Sequence, residues 1–352
     1  CPLAQMVPLG CPQTKVGKSN MKILVTGGMG FVGNALAHAL LKRGHEVHAL
    51  GRSVNPAKEK LLPGLIYHSH DLSKKPLSKH WFKKTEVVFH VAAKAGVGGK
   101  YLDYKLANLV ATEKLLQTCK EYEVCKFIHT STPSVVFSPN PIRGGDESLT
   151  YSKEDFSPYA STKSLAEQAV LAADDPAGMR TLALRPHLVW GPGDPHLLPR
   201  VVARHRAGRL RIIGDGKNQV DLTHIENVVH AHLCALDAMI SNPDLGATPY
   251  FIGQNEPVRL WDWLNQVFAE LHLAPLNKFI SYKTAYNIGW LMEQSWKILP
   301  LKDEPPMTRF VACQLAHDHW FSEVAAKRDL GYQPLLSMEE ALRKTLPWLR
   351  NL

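Results

Sequence analysis

Short apolar segments alternate with longer amphipathic ones through the first half of the chain. Strands are predicted at six apolar segments: Lys22–Thr26, Glu46–Leu50, Leu65–Ser69, Val87–Val91, Lys126–Thr130 and Thr181–Arg185. Helices are predicted between them, at Phe31–Arg43, Tyr101–Cys119 and Ser157–Ala172. Nearly continuous apolar strands that alternate with helices are typical of a doubly wound parallel sheet, because helices cover both of its faces. The sequence therefore predicts an α/β fold of Rossmann type.

The pattern changes after Arg185, where Gly and Pro cluster in residues 186–199. Helices are predicted at Ile225–Ile240 and Val258–Leu271, and a strand that returns to the sheet at Pro249–Ile252. We predict a nucleotide-binding domain over residues 21–190, with return segments near 225–253, and a smaller, mostly helical C-terminal substrate cap over 191–224 and 254–352. Residues 1–20 lack a periodic pattern and are predicted to be a disordered or non-native leader.

A glycine-rich loop joins the first predicted strand to the first predicted helix, in the order Thr26-Gly27-Gly28-Met29-Gly30-Phe31-Val32-Gly33. Gly27 permits a tight turn, Gly30 lets the backbone approach a pyrophosphate, and Gly33 allows close packing of helix and strand. The N–H groups at the start of the helix then face the phosphates. This context predicts a dinucleotide site that includes Phe31 and Val32.

The end of the second predicted strand indicates which cofactor binds. An acidic residue there would hydrogen-bond the ribose 2′-hydroxyl of NAD. This chain has Gly51 and Arg52 at that place, followed by Ser53. Because a guanidinium pairs with a 2′-phosphate, we expect NADP(H), with Arg52 and Ser53 as its readers and NAD(H) as the alternative.

Tyr159 and Lys163 lie four residues apart in a predicted helix, hence on one helical face. A nearby ammonium favours the phenolate, so Lys163 is expected to lower the pKa of Tyr159 and suit it to acid–base work. Ser131 and Thr132 follow a predicted parallel strand, at the sheet edge where ligands bind. Together these residues predict an oxidoreductase site.

These motifs and Asn108, within Leu106-Ala107-Asn108-Leu109-Val110-Ala111-Thr112, resemble the extended short-chain dehydrogenases/reductases. Residues 89–97, 185–200 and 214–232 further resemble the 3β-hydroxysteroid dehydrogenase branch of that superfamily. The resemblance covers about Met21 to Leu349. It implies reduction of a 3-oxo group or oxidation of a 3-hydroxy group on a hydrophobic substrate.

The resemblance also implies a role for individual residues. Tyr159 would donate the proton, Lys163 would hold the nicotinamide ribose, and Thr132 would align with the catalytic Ser/Thr, with Ser131 and Asn108 nearby. The further cofactor contacts that it implies are Asp71 and Leu72 at the adenine edge, Ala92 and Ala93 along the cofactor, and Pro186, Leu188 and Val189 near the nicotinamide.

Several residues are candidates for binding the substrate. They are Lys94, Val97, His187, His196 and Arg200, and the charged ones suit a carboxylate. The favoured substrate is a 2-alkyl-3-oxoalkanoate. A 3β-hydroxysteroid or sterol-4-carboxylate is the first alternative. Two other functions stay open: the protein could be a nucleotide-sugar epimerase or reductase, or a non-catalytic NADP(H) sensor.

Composition limits the partners. The net charge of +9 raises the question of nucleic acid binding, but the five Arg of Arg200–Arg211 have no interleaved aromatic residues, so no nucleic acid partner is expected.

The His and Cys spacings predict no metal site and no disulfide framework, which favours a reduced, cytoplasmic location. No apolar run reaches spanning length, although Tyr282–Leu299 suits an acyl pocket, a peripheral membrane contact or the cap core. A homodimer is expected.

Overall fold

The computed structural model describes residues 20–152, 157–298 and 304–352. Its strands are β1 (Lys22–Thr26), β2 (Glu46–Gly51), β3 (Ile66–Ser69), β4 (Val87–His90), β5 (Lys126–Thr130), β6 (Ile142–Gly145), β7 (Arg180–Pro186), β8 (Val189–Trp190), β9 (Ile212–Ile213), β10 (Gln219–Val220), β11 (Thr223–His224), β12 (Thr248–Ile252), β13 (Val258–Arg259), β14 (Phe279–Ile280) and β15 (His319–Phe321). Its α-helices are α1 (Phe31–Lys42), α2 (Lys79–Phe82), α3 (Tyr101–Tyr104), α4 (Ala111–Glu121), α5 (Pro158–Ala172), α6 (Leu198–Arg206), α7 (Ile225–Ser241), α8 (Leu260–Glu270), α9 (Tyr282–Ile298), α10 (Arg309–Ala316), α11 (Val324–Leu330) and α12 (Met338–Leu349).

Seven strands form one parallel sheet in the order β3-β2-β1-β4-β5-β7-β12. The chain order reverses between β1 and β4, which creates a crevice at the carboxyl ends of these strands, where ligands of such sheets bind. The predicted Rossmann-type α/β fold is therefore confirmed. The predicted return strand is present as β12, which completes the sheet edge beside β7.

Two layers of helices enclose the sheet. Leu36 and Leu40 of α1 pack with Leu236 of α7 on one face, and Leu115 of α4 packs with Val170 of α5 on the other. A separate apolar cluster lies mostly in the segment predicted as the cap and contains Trp261, Trp263, Leu342 and their neighbours, together with Trp190 at the end of the predicted nucleotide-binding domain. These apolar contacts hold the strand ends that carry the candidate site.

The structure differs from the sequence prediction in two places. The helix predicted at Tyr101–Cys119 is interrupted by a π-helical turn at Lys105–Val110, between α3 and α4. Ala326 and Leu330 of α11, which fall in the predicted cap, pack into the cluster around α1 and α7 instead. The proposed domain boundaries themselves stay a prediction, and the proposed leader lies outside the described residues except for its last residue, Asn20.

None of the helices in the three described ranges has the length and apolar character needed to cross a membrane.

Candidate active site

A cavity of about 850 Å³ opens at the carboxyl ends of the parallel strands, where β1 and β4 diverge. Most of the side chains that the sequence singled out line it: Gly27, Gly30, Phe31, Val32, Gly33, Arg52, Ser53, Asp71, Leu72, Ala92, Ala93, Lys94, Val97, Ser131, Thr132, Tyr159, Lys163, Pro186, His187, Leu188, Val189 and His196. Asn108 and Arg200 do not belong to this lining. One cleft thus contains the glycine loop, the hydroxyl groups and the Tyr–Lys pair.

The glycine loop leaves backbone exposed where side chains would block a ligand. Gly27 has a φ of +69°, a conformation that favours glycine. A Cβ on Gly33 would lie 2.2 Å from the carbonyl oxygen of Gly27, so only glycine permits this approach of α1 to the loop. The loop ends at the N-terminus of α1, whose first N–H groups are a site for phosphate. These features fit a dinucleotide.

The end of β2 has a basic residue beside the cavity. The Tyr67 hydroxyl donates to the carbonyl of Ser53 at 2.6 Å and so holds the segment that carries Arg52. Burial raises the pKa of Asp71, but hydrogen bonds from Ser73 and the charges of Lys74 and then Arg52 outweigh this and leave that pKa below its ordinary value. Arg52 and an ionised Asp71 therefore lie near each other at one end of the cleft.

Helix α5 presents Tyr159 and Lys163 to the cleft. Its N-terminus is fixed by Ser157, whose side chain accepts from the Ala160 N–H. The Lys163 amine donates to the Thr130 carbonyl at 2.8 Å, and burial lowers its pKa to about 7. A phenol and an amine one helical turn apart therefore face the same space.

The pKa of Tyr159 differs from the sequence expectation. Burial raises it above the ordinary value for tyrosine, and a hydrogen bond with Thr132 opposes this rise. Lys163 does not produce the expected lowering here, because its amine is directed to the strand behind it and bonds Thr130. The phenol is therefore in its protonated, proton-donating form at neutral pH.

The hydroxyl groups after β5 differ in what they contact. Thr132 Oγ1 donates to Ser134 Oγ and accepts from the Ser134 N–H, both at 3.2 Å, and its interaction with Tyr159 opposes the rise in the pKa of that phenol. The Ser131 hydroxyl is buried and has no hydrogen-bond partner among the described residues. The geometry therefore favours Thr132 over Ser131 as the hydroxyl that acts with Tyr159.

Asn108 lies in the π-helical turn and contacts the cleft wall from behind. Its Oδ1 accepts from the Lys94 N–H at 2.7 Å, and its Nδ2 donates to the Lys94 carbonyl at 3.1 Å and to Thr162 Oγ1 at 3.1 Å. The side chain is buried and both amide hydrogens are used. Asn108 thus ties the Lys94 segment to the catalytic helix α5.

The candidate anion-binding residues have different surroundings. The Lys94 amine lies 5.1 Å from the ring centre of Tyr104 and has no ion pair with a described residue. Arg200 instead lies outside the cavity and pairs with Glu304 at 3.3 Å. Lys94 is therefore better placed than Arg200 to meet a substrate carboxylate.

His187 forms a buried pair with His319, whose Nδ1 lies 3.2 Å from His187 Nε2. His319 Nε2 lies 2.6 Å from the Gln314 carbonyl, so this nitrogen carries the proton. Burial holds the pKa of His187 well below its ordinary value. A neutral His187 does not attract an anion, so among the candidate substrate-binding residues of the lining Lys94 is the better suited to do so.

Helix α10 forms a wall that sequence reasoning missed. Its residues in the lining are Phe310, Val311, Gln314 and Leu315. The preceding helix α9 lies in the segment for which the sequence offered an acyl pocket, a membrane contact or the cap core, and none of its described residues lines the cavity. Its Tyr282 and Tyr286 pack against Phe310 from outside. No local pattern indicates that α10, far along the chain, lines the same cavity as Tyr159.

Comparison with known proteins agrees with this geometry. Residues 24–283 match the model of the 3-beta hydroxysteroid dehydrogenase/isomerase family. A 2-alkyl-3-oxoalkanoate reductase of Stenotrophomonas maltophilia is 44% identical over 326 residues, which are 92% of this chain and 98% of that protein. The chain belongs to the 3-beta hydroxysteroid dehydrogenase/isomerase family. It is a member of the extended short-chain dehydrogenases/reductases, as the sequence motifs predicted, and an NAD(P)-dependent oxidoreductase.

The chain is also similar to a sterol dehydrogenase in sequence and to an epimerase in fold. The human sterol-4-alpha-carboxylate 3-dehydrogenase, decarboxylating, is 33% identical, with 96% of this chain and 91% of that protein covered. Among solved structures, the UDP-glucuronic acid 4-epimerase from Bacillus cereus in complex with NAD has a TM-score of 0.74 at 23% identity, covering 94% of this chain and 99% of that one. The second similarity concerns the fold alone.

Proposed function

We propose that the protein is an NADP(H)-dependent reductase that interconverts a 3-oxo and a 3-hydroxy group on a hydrophobic, carboxylated substrate, a 2-alkyl-3-oxoalkanoate. The observation that carries this proposal is that one cleft contains Tyr159, Thr132 and the amine of Lys94, which has no ion pair with a described residue. The apolar wall from α10 suits alkyl chains. The 44% identical reductase supports the same substrate class.

The chemistry divides between the cofactor and the chain's own residues. A nicotinamide cofactor, when bound by the glycine loop, supplies the hydride. Tyr159 donates its proton to the carbonyl oxygen, and its raised pKa keeps that proton available at neutral pH. Thr132 lines the same cleft as Tyr159, and its interaction with the phenol opposes the rise in pKa. Lys163, held by the Thr130 carbonyl, places an amine with a pKa of about 7 behind this proton donor.

Arg52 is the basis for the preference for NADP(H). Its side chain lies in the cleft lining where an NAD-type site would have a carboxylate. We expect Arg52→Asp to weaken NADPH binding and to strengthen NADH binding, because a carboxylate repels the 2′-phosphate and accepts from a 2′-hydroxyl. Titration of both cofactors by fluorescence checks this. An unchanged ratio of the two dissociation constants overturns the assignment.

Lys94 is proposed to bind the substrate carboxylate. In a 3-oxo acid the carboxylate lies two carbons from the reacting carbonyl, so a cation is required near Tyr159 but apart from it. Asn108 fixes the backbone of Lys94 at both its N–H and its carbonyl, so the point from which the side chain enters the cleft is held in place. A charge-assisted hydrogen bond contributes about 1.5–3 kcal/mol, which corresponds to roughly 10- to 100-fold in affinity.

The test follows NADPH oxidation with a long-chain 2-alkyl-3-oxoalkanoate and with the neutral ketone that remains after loss of its carboxylate. We expect Lys94→Met to raise KM for the acid 10- to 100-fold and to leave KM for the ketone unchanged. The control Arg200→Met removes an outlying cation and should change neither. Equal effects of Lys94→Met on both substrates would exclude carboxylate recognition.

Tyr159→Phe tests the chemistry itself. It should abolish reduction of every substrate while cofactor binding persists, because only the proton donor is removed. Full activity in Tyr159→Phe would refute the role of Tyr159. Absence of turnover in the unmodified enzyme, with tight NADPH binding, would favour a cofactor sensor.

A sterol-4-carboxylate is the second candidate substrate, favoured by the 33% identical human dehydrogenase. It also carries a carboxylate beside the reacting carbon, so Lys94 would serve the same purpose. Oxidation of a 3β-hydroxy-4-carboxysterol, faster than oxidation of a 2-alkyl-3-hydroxyalkanoate, would select this candidate.

A further inference from the structure

The amine of Lys163 has a second, less expected neighbour. Its Nζ lies 2.9 Å from Nε2 of His129, on β5, in addition to the Thr130 carbonyl at 2.8 Å. Both Lys163 and His129 are 1% exposed. A histidine therefore contacts the catalytic lysine directly from inside the sheet.

The charge state of Lys163 determines the tautomer of His129. When Lys163 is an ammonium it has only donors, so His129 Nε2 is then the acceptor and the ring proton is on Nδ1, which has no partner among the described residues. Burial, together with the charge of Lys163, holds the pKa of His129 well below its ordinary value, so the ring stays neutral. The proton that titrates in this pair is the one on Lys163.

The other groups around Lys163 do not replace this acceptor. They are the imidazoles of His90 on β4 and His232 on α7, the phenol of Tyr159 and the carboxylate of Glu167 on α5. Burial lowers the pKa of both imidazoles, so they are neutral, and His232 accepts from the Thr130 hydroxyl at 2.8 Å. Glu167 is bonded by Arg185 at 2.6 Å and by the Tyr151 hydroxyl at 2.9 Å.

We propose that His129 is a positioning residue: its Nε2 lone pair holds one N–H of Lys163 against the sheet and stabilises the ammonium form. With the Thr130 carbonyl taking a second N–H, the third is left for the cleft that Lys163 lines. The proposal rests on the proposed function for its catalytic consequence, but the Lys163–His129 contact itself does not depend on the substrate.

Substitution of His129 by leucine removes the acceptor and leaves the ammonium with one buried partner. A hydrogen bond to the charged form favours that form, so its loss lowers the pKa of Lys163. We expect a fall of about one pH unit, a tenfold change in the protonation equilibrium. His129→Gln supplies an amide oxygen and should restore most of the difference.

The direct experiment is NMR of the cofactor-free protein with ¹³Cε-labelled lysine, in which the Lys163 signal is assigned by its absence in Lys163→Met. His129→Leu should titrate about one unit below the unmodified protein, with His129→Gln between them. His232→Leu is the matched control: it removes an equally buried, neutral imidazole that does not touch Lys163, and the titration should not move. An unchanged Lys163 titration in a folded His129→Leu overturns the proposal.

Two further measurements keep the test decisive. In the unmodified protein with Lys163 as an ammonium, ¹⁵N shifts of His129 should show the Nδ1–H tautomer, and the opposite tautomer refutes the proposal even where His129→Leu does not fold. In catalysis, the alkaline limb of kcat/KM should shift down by the same amount as the NMR titration. If no variant reduces the 3-oxo acid while the NMR shift is observed, the proposed function fails and the positioning role stands.

Discussion

Replacement of Asn108 by leucine tests whether this residue positions the substrate segment or relays a proton. Leucine has a similar size but lacks the amide, so it removes the bonds to the Lys94 N–H, the Lys94 carbonyl and Thr162 Oγ1. Thr162 retains its bond to the Pro158 carbonyl at 2.6 Å. The main loss therefore falls on the backbone of Lys94.

The size of the effect follows from the two backbone bonds. Each hydrogen bond contributes about 0.5–1.5 kcal/mol net, so the Lys94 segment loses about 1–3 kcal/mol of its fixation. If that free energy holds the amine toward the carboxylate, KM for the carboxylated substrate rises roughly 5- to 100-fold. The value of kcat changes little, because Tyr159, Thr132 and Lys163 keep their contacts.

The assay compares KM and kcat for the 2-alkyl-3-oxoalkanoate and for its neutral ketone. Thr162→Val serves as the control, since it deletes one of the three bonds of Asn108 and leaves Lys94 held. A loss confined to kcat, with KM unchanged for the acid and an altered solvent isotope effect, would show that Asn108 relays a proton. That result would refute the positioning interpretation.

Two further predictions concern cofactor binding and stability. Gly33→Ala should abolish NADPH binding in a fluorescence titration, because its Cβ would lie 2.2 Å from the Gly27 carbonyl oxygen, whereas Gly178→Ala meets only a flexible side chain and should bind normally. Burial raises the pKa of Asp221 and of Glu323 to about 7. These carboxyls hold protons in the folded chain that the unfolded chain releases near pH 4, so the free energy of unfolding decreases as pH rises from about 4 to 7. Melting temperatures at pH 5 and pH 8 should therefore differ less in Asp221→Asn than in the unmodified protein, and an equal difference would contradict the assignment.

Much of the parallel sheet could be predicted from the sequence because its strands are short, apolar and separated by helices. Lys22–Thr26 and Lys126–Thr130 have the predicted bounds. The π-helical turn that interrupts the predicted helix after Tyr101 was not predicted, since its apolar pattern is that of an ordinary helix. What distinguishes it is the buried Asn108, bonded to a segment outside the helix.

In the candidate site, too, residues joined by a local motif could be predicted and residues brought together by the fold could not. Gly33, Tyr159 and Lys163 could be predicted to share one cleft because their motifs have short, local spacings. Helix α10 was missed, because its contact with the cleft arises from packing across the chain and leaves no local pattern. His129 was also missed as a neighbour of Lys163. A histidine within an apolar strand does not indicate which element lies behind it.

The late return of β12 to the sheet has a consequence for folding and for fragment design. The sheet edge at β7 is completed by Tyr250, Phe251 and Ile252, which are at most 2% exposed. The ribosome synthesises these residues only after more than half of the chain. Until then β7 is an open, apolar edge strand, which is a template for pairing with another chain. A fragment that ends at residue 190 would keep this edge uncovered, so the nucleotide-binding unit should aggregate when produced without the segment that carries β12.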